Sequence, residues 1–176
     1  MKIERVKLYH FPATRSARVL WALHEIEDCP FEVQVVDLYR GEQYAPGYLA
    51  LNPNHGVPAL EIFWQGGRTQ KMIESAAIVA FLADAFPNKN LSPKPGTPER
   101  ADYLQMLQFG ATAIDMMLWQ VRIHEHVLPP DVCDAQTIAR YRKKFREEAE
   151  PQLAARLRQS PYVCGETFTA ADCIIG

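Results

Sequence analysis

The sequence predicts an α/β domain followed by an all-helical one, and three observations predict it. Strand-like and helix-like segments alternate from the N-terminus to Phe86. The stretch from Pro87 to Pro98 then holds Pro87, Pro93, Pro95 and Pro98, the composition of a linker. Beyond it the apolar spacing is helical throughout, with no strand-like alternation. The expected parts are therefore residues 1–86, a linker at 87–98, and a helical part over 99–176.

The elements follow in order. Val6 to His10 is a short β-rich run. From Arg15 to Glu27, Val19, Leu20, Leu23 and Ile26 form a helical stripe, with Pro12 turning the chain and Thr14 able to cap. In the strand-like run from Phe31 to Asp37, Phe31, Val33 and Val35 share one face, while Glu32 and Gln34 share the other. Pro46 and Gly47 limit any helix between Gly41 and Leu51 to a short or irregular piece. Ala59 to Phe63 and Arg68 to Met72 flank Gly66-Gly67 and read as a hairpin. Ser75 to Phe86 is a strong helix. Glu99 to Val127 and Asp134 to Arg158 are long helical segments, the second with a bend expected at Pro151.

Composition narrows the function classes. Lys plus Arg total 19 against 21 for Asp plus Glu, so no basic surplus points to nucleic acid. No apolar run reaches the roughly 18 residues of a membrane span. The charged opening does not read as a signal peptide, which suggests a cytoplasmic protein. Cys29, Cys133, Cys164 and Cys173 are widely spaced, with no CxxC pair and no histidine at zinc spacing. They are expected as free thiols in a reducing compartment, and no metal is expected.

Three motifs stand out. The first runs from Asn52 to Leu60 and contains Val57-Pro58 at a strand entrance. A trans bond is the commoner state, since only about 5–6% of X–Pro bonds are cis. A cis bond would leave the Val57 N–H and C=O free to pair with an extended peptide-like ligand. The second is Glu74-Ser75 before a helix. Ser75 stands where an N-cap would, and the helix start offers free N–H groups to a carboxylate, while Glu74 could hold an amine. The pair reads equally as a capping serine beside a solvated glutamate. The third is Phe168-Thr169-Ala170-Ala171-Asp172, a capping box with Asp at its third helical position and Phe168 as a staple, which is structural.

These segments, in this order, resemble the glutathione S-transferase family. The resemblance also takes in Leu8 to Pro12 and Arg18 to Glu25 and covers nearly the whole chain. It implies a thioredoxin-like N-terminal domain, a helical C-terminal domain, a cis Val57-Pro58 bond, a homodimer and glutathione as co-substrate. It also implies the site. Glu74 and Ser75 would hold the γ-glutamyl head group, and Val57 the cysteinyl backbone. The thiol would face the start of the first helix.

This chain departs from the family pattern at several points. Ala13 stands where serine-type members carry the hydroxyl. Thr14 and Ser16 are the nearest hydroxyls, Arg15 could stabilise a thiolate by charge, and Tyr9 or His10 lies close by. No cysteine stands here, which speaks against mixed-disulfide subclasses. Gly56 replaces the Lys or Gln that often meets the glycine end, a role His55 could take. An electrophile pocket would draw on Tyr9, Tyr103, Met106 and Gly110, although the stripe Tyr103, Met106, Gly110, Ala113, Met117 also suits helix packing. Members of the family continue for several helices past the capping box. The helical domain is thus expected to be incomplete, with Cys173, Ile174 and Ile175 exposed. The function implied is thiolate attack on a small apolar electrophile. The alternatives are a protein-binding scaffold without activity and a glutathione-dependent isomerase or peroxidase.

Overall fold

A computed structural model describes residues 2–176. The chain divides into two compact units between Ser92 and Pro93. In the first, β1 (Ile3–His10), β2 (Phe31–Val35), β3 (Ala59–Trp64) and β4 (Thr69–Ile73) form a sheet of order β2-β1-β3-β4. β1 and β2 are parallel, joined through α1 (Ser16–Ile26), while β1–β3 and β3–β4 are antiparallel. A single turn, α2 (Pro46–Leu49), precedes β3, and α3 (Ser75–Ala85) follows β4. This is the thioredoxin-like arrangement.

Strand alternation sets the core of this unit. Val6 pairs with Ile62 and Leu8 with Leu60, so these four side chains share one face. Val19, Leu23 and Ile26 of α1 and Ile78, Val79 and Leu82 of α3 are buried with them, and none of the ten has exposed surface. Each such burial contributes about 1.5–3 kcal/mol. The opposite face carries a smaller cluster of Tyr9, Val36, Tyr48 and Ala59. Gly66 and Gly67 turn the β3–β4 hairpin with φ of +93° and +85°, conformations that disfavour any side chain.

The second strand departs from expectation. Its alternation is that of a strand, yet Val33 and Val35 stay 41% and 56% exposed. β2 is an edge strand, and although its register sets Val33 beside the buried Leu8 on the same face, burial does not extend out over Val33 and Val35.

The second unit is built of helices, apart from loops that include an isolated bridge between Tyr162 and Gly165. Thr97 caps α4 (Pro98–Gln108) by accepting from Arg100 N–H at 3.2 Å. The helix continues through a π segment, Phe109–Ile114, into α5 (Asp115–His126). Asp134 caps α6 (Ala135–Lys144), which runs through a second π segment, Phe145–Ala149, into α7 (Glu150–Leu157). Pro151 sits in the first turn of α7, so the change of helical pitch falls where the bend is expected. Ile114, Met117 and Ala149 form a core with Phe145, Leu153 and Ile175.

α8 (Ala170–Ile175) opens on the expected capping box. Asp172 accepts from Thr169 N–H at 2.8 Å and from Val163 N–H at 2.9 Å, while Arg156 donates to the Val163 carbonyl at 3.0 Å. Arg156 also makes a two-pronged ion pair with Asp102, at 2.7 and 2.6 Å. The expected exposure of the last residues does not occur. Cys173 and Ile174 are buried and Ile175 is half-buried, because α8 packs on Gly110.

Candidate functional site

The sheet register gathers the motif residues at one end of the first unit. Tyr9, Ala59 and Ile73 form a row across β1, β3 and β4. Just beyond that row lie the loop from Phe11 to Arg15, the Val57-Pro58 pair and Glu74-Ser75. Val36 N–H donates to the His10 carbonyl at 2.9 Å, so the segment after β2 leaves from the same end.

The Val57-Pro58 bond is cis. Neither the N–H nor the C=O of Val57 is hydrogen-bonded to any described residue. The loop before it is held from inside. The Gly56 carbonyl accepts from Tyr48 Oη at 2.6 Å and from Asn52 Nδ2 at 2.8 Å. Asn52 Oδ1 in turn accepts from Asn54 N–H at 2.9 Å. Burial raises the Tyr48 hydroxyl to about 12, so it donates throughout the physiological range. Tyr48 and Asn52 are positioning residues: Asn52 opens the 52–60 motif, while no sequence motif singled out Tyr48. The Asn-Pro dipeptide is the local signal for the turn at Asn52. His55 stands exposed in a left-handed conformation, its ring 5.0 Å from that of Tyr44.

Ser75 is not the N-cap of α3. It is the first helical residue, and Glu74 takes the cap position with φ +72° and no side-chain cap bond. That left-handed conformation is unusual for a residue with a long side chain and is held by the sheet on one side and the helix on the other. Ser75 is buried, and its hydroxyl bonds to no described group. The positive end of the α3 dipole and an unused hydroxyl thus coincide, beside the exposed Glu74 carboxylate.

The loop before α1 sorts the candidate hydroxyls. Ala13 is exposed with φ +55° and has no donor. Ser16 is fully buried, its Oγ 2.7 Å from His10 Nδ1, so it cannot touch a ligand. Thr14 is half-buried, with Oγ1 donating to the Phe11 carbonyl at 2.7 Å and lying 2.8 Å from Ser16 Oγ. Arg15 is the residue at the N-cap position of α1 and keeps part of its surface in solvent. Thr14 acts as a cap from one residue earlier, accepting from Ser16 N–H at 3.3 Å. His10 is buried, and desolvation lowers its pKa, which favours the neutral ring.

The electrophile residues fall elsewhere. Tyr9 donates its hydroxyl to Glu61 Oε2 at 2.7 Å and is buried in the Tyr48 cluster. Burial first, and that hydrogen bond next, raise it to about 12. It is a structural residue of the sheet face rather than a pocket wall. Tyr103 and Met106 keep 0% and 2% of their surface, too little to line a ligand site. A Cβ on Gly110 would meet Ile175 Cγ1 at 2.8 Å and Ile174 Cγ2 at 2.9 Å. The stripe is helix packing.

Among the described residues, no three His, Cys, Asp or Glu side chains converge as metal ligands would. No helix of the described residues is long and apolar enough to cross a membrane.

Residues 4–84 match the family model of the glutathione S-transferase N-terminal domain. Over 172 residues the chain is 30% identical to the disulfide-bond oxidoreductase YfcG of Escherichia coli, an alignment covering 95% of this chain and 75% of that protein. A crystal structure of a glutathione transferase family member from Pseudomonas fluorescens, with two glutathione bound, superposes with a TM-score of 0.84 at 26% identity. That match covers 97% of this chain and 74% of the other. The glutathione transferase URE2P6 of Phanerochaete chrysosporium, in complex with oxidized glutathione, also gives 0.84, at 27% identity over 97% of this chain and 76% of that one. The sheet order and the helical second unit agree with these matches, and the chain belongs to the glutathione S-transferase family.

Proposed function

We propose that this chain binds glutathione, holds its sulfur as a thiolate and directs it at a small apolar electrophile. The observation that carries the reading is the unpaired Val57 peptide at the same sheet end as the buried, unused Ser75 hydroxyl. A γ-glutamyl carboxylate suits Ser75 and the start of α3, and its ammonium suits Glu74. The cysteinyl backbone pairs with Val57, the glycine end lies toward His55, and the sulfur reaches the loop before α1. Thr14 supplies the hydroxyl there. Arg15 and the α1 dipole add positive potential. A free thiol titrates near 8.5, and each unit by which the site lowers that value corresponds to about 1.36 kcal/mol. Holding thiolate and electrophile together supplies the remaining acceleration. The protein acts as a cytoplasmic homodimer, for which sedimentation at micromolar concentration is the test.

Conjugation of glutathione to 1-chloro-2,4-dinitrobenzene, followed for the wild type and Ser75→Ala, tests this reading. Saturable turnover with a KM for glutathione about tenfold higher in the variant supports it, since a hydrogen bond to a charged group contributes about 1.5 kcal/mol or more. Absence of turnover with every electrophile tried, in folded protein, contradicts it.

A second reading keeps the same thiolate and changes its target to a disulfide. It is favoured by the oxidoreductase relative and by the oxidized glutathione in one structural relative. The bound thiolate attacks one sulfur, a new S–S bond forms and the other sulfur leaves as thiolate. Reduction of 2-hydroxyethyl disulfide faster than any conjugation would select it.

A further inference from the structure

We propose that His10 and Ser16 form a buried relay that positions the Thr14 hydroxyl for a bound thiolate. The proposal rests on the glutathione reading and names two residues that never touch the ligand.

Three short contacts run in line. His10 Nδ1 lies 2.7 Å from Ser16 Oγ, Ser16 Oγ lies 2.8 Å from Thr14 Oγ1, and Thr14 Oγ1 lies 2.7 Å from the Phe11 carbonyl oxygen. Each contact needs one proton, and the two hydroxyls and one ring N–H provide three. One arrangement places a proton in every contact. His10 Nδ1–H donates to Ser16 Oγ, Ser16 donates to Thr14, and Thr14 donates to the Phe11 carbonyl. Were Ser16 to donate to His10 instead, the 2.8 Å contact would set two oxygen lone pairs against each other. The tautomer is thus assigned by the network. Ser16 Oγ also accepts from Phe11 N–H at 3.1 Å.

The same geometry lets Thr14 be released. Ser16 Oγ is itself within 3.1 Å of the Phe11 carbonyl oxygen. When a thiolate arrives, the Thr14 proton turns to sulfur, while the Ser16 proton stays in the 2.8 Å contact with Thr14 and is shared with the Phe11 carbonyl 3.1 Å away. His10 keeps donating to Ser16, and Thr14 Oγ1 keeps accepting from Ser16 N–H at 3.3 Å. The Phe11 carbonyl keeps a share of the Ser16 proton, which lowers the penalty for redirecting the Thr14 hydroxyl. A lone threonine bonded to a backbone carbonyl would have to break that bond outright. The relay therefore compensates for Ala13, which has no donor of its own.

The experiment reads the thiolate absorbance of bound glutathione against pH in wild type, Thr14→Val, Thr14→Ser, Ser16→Ala and the Thr14→Val/Ser16→Ala double variant. Affinity for S-methylglutathione, which has no thiol, is measured alongside. The relay predicts that T14V raises the bound thiol by about one pKa unit, that T14S restores the wild-type value, and that S16A raises it in part. The double variant should match T14V, because Ser16 acts only through Thr14. S-methylglutathione affinity should stay within about twofold, since one contact to the thiol is lost and the site is intact. A wild-type thiol pKa in S16A, or an S16A effect added on top of T14V, overturns the relay. Should S16A lose its native melt, His10→Asn and His10→Phe replace it. The asparagine keeps a donor to Ser16 and should match wild type, the phenylalanine should raise the thiol, and equal values in both overturn the relay. Failure of the wild type to bind S-methylglutathione overturns the glutathione reading itself, a result distinct from unchanged titrations in variants that do bind.

Discussion

Asn52 shows how one buried polar side chain shapes the ligand-facing loop. Its amide ties down the Gly56 carbonyl, its oxygen takes Asn54 N–H, and Val57 follows directly. Asn52→Ala leaves the Asn54 N–H without its acceptor and takes one of the two donors from Gly56. The expected loss is about 1–3 kcal/mol of stability, read as a lower urea midpoint, together with weaker glutathione binding. Tyr48→Phe leaves the Asn52 bond in place, so its loss should be smaller, about 1 kcal/mol. Equal losses in the two variants would contradict this division. Some residue-level placements were legible in the sequence and others were not. The cap role of Thr14 was legible, whereas Ser16, named from the sequence as a candidate thiolate donor, lies on the buried helical face of Val19, Leu23 and Ile26. The Ser75 position depended on which residue took the left-handed turn, and a glutamate gives no warning of that. Tyr9 and Glu61 are far apart in sequence, so only strand register brings them together.

Helix spacing read the second unit well and strand spacing read part of the first. The stripe from Tyr103 to Met117 marked a buried face, and a glycine on such a face marks a close approach. What fills the space opposite Gly110 depended on α8, whose packing no local pattern encodes. Gly110→Ala would drive a methyl group to within 3 Å of two β-branched side chains that have little rotamer freedom. The expected penalty is about 1–3 kcal/mol, with a lower melting temperature and unchanged affinity for glutathione. A melt equal to wild type would show that α8 can shift without penalty. The valines of β2 teach the converse. Alternation identified the strand and which side chains share a face, but the strand order decided that this face lies at an open edge.

At the scale of the whole chain, four groups set the alkaline limit of stability. Burial holds Tyr9 and Tyr48 at about 12, against 10.0 for a free phenol, and lifts Cys29 and Cys164 well above the ordinary thiol value, to about 11. Each therefore binds its proton more tightly folded than unfolded. Their stabilisation is complete below the unfolded values and is lost as pH rises through the folded ones. The urea midpoint should fall steadily between about pH 9 and pH 12, following those shifts, and Tyr9→Phe should flatten the upper part of the fall. A midpoint constant over that range would contradict the assignment. Near neutrality, stability should instead respond to ligand. The most direct test is thermal melting with and without millimolar glutathione. At 100 times its dissociation constant a ligand stabilises by about 2.7 kcal/mol, which for a chain of this size is a rise of roughly 5–10 °C. A glutathione site built on Val57 and Ser75 should give that rise in the wild type and a smaller one in Ser75→Ala at the same concentration. An unchanged melting temperature in folded wild-type protein would mean that no such site exists, and the transferase chemistry proposed for this chain would fall with it.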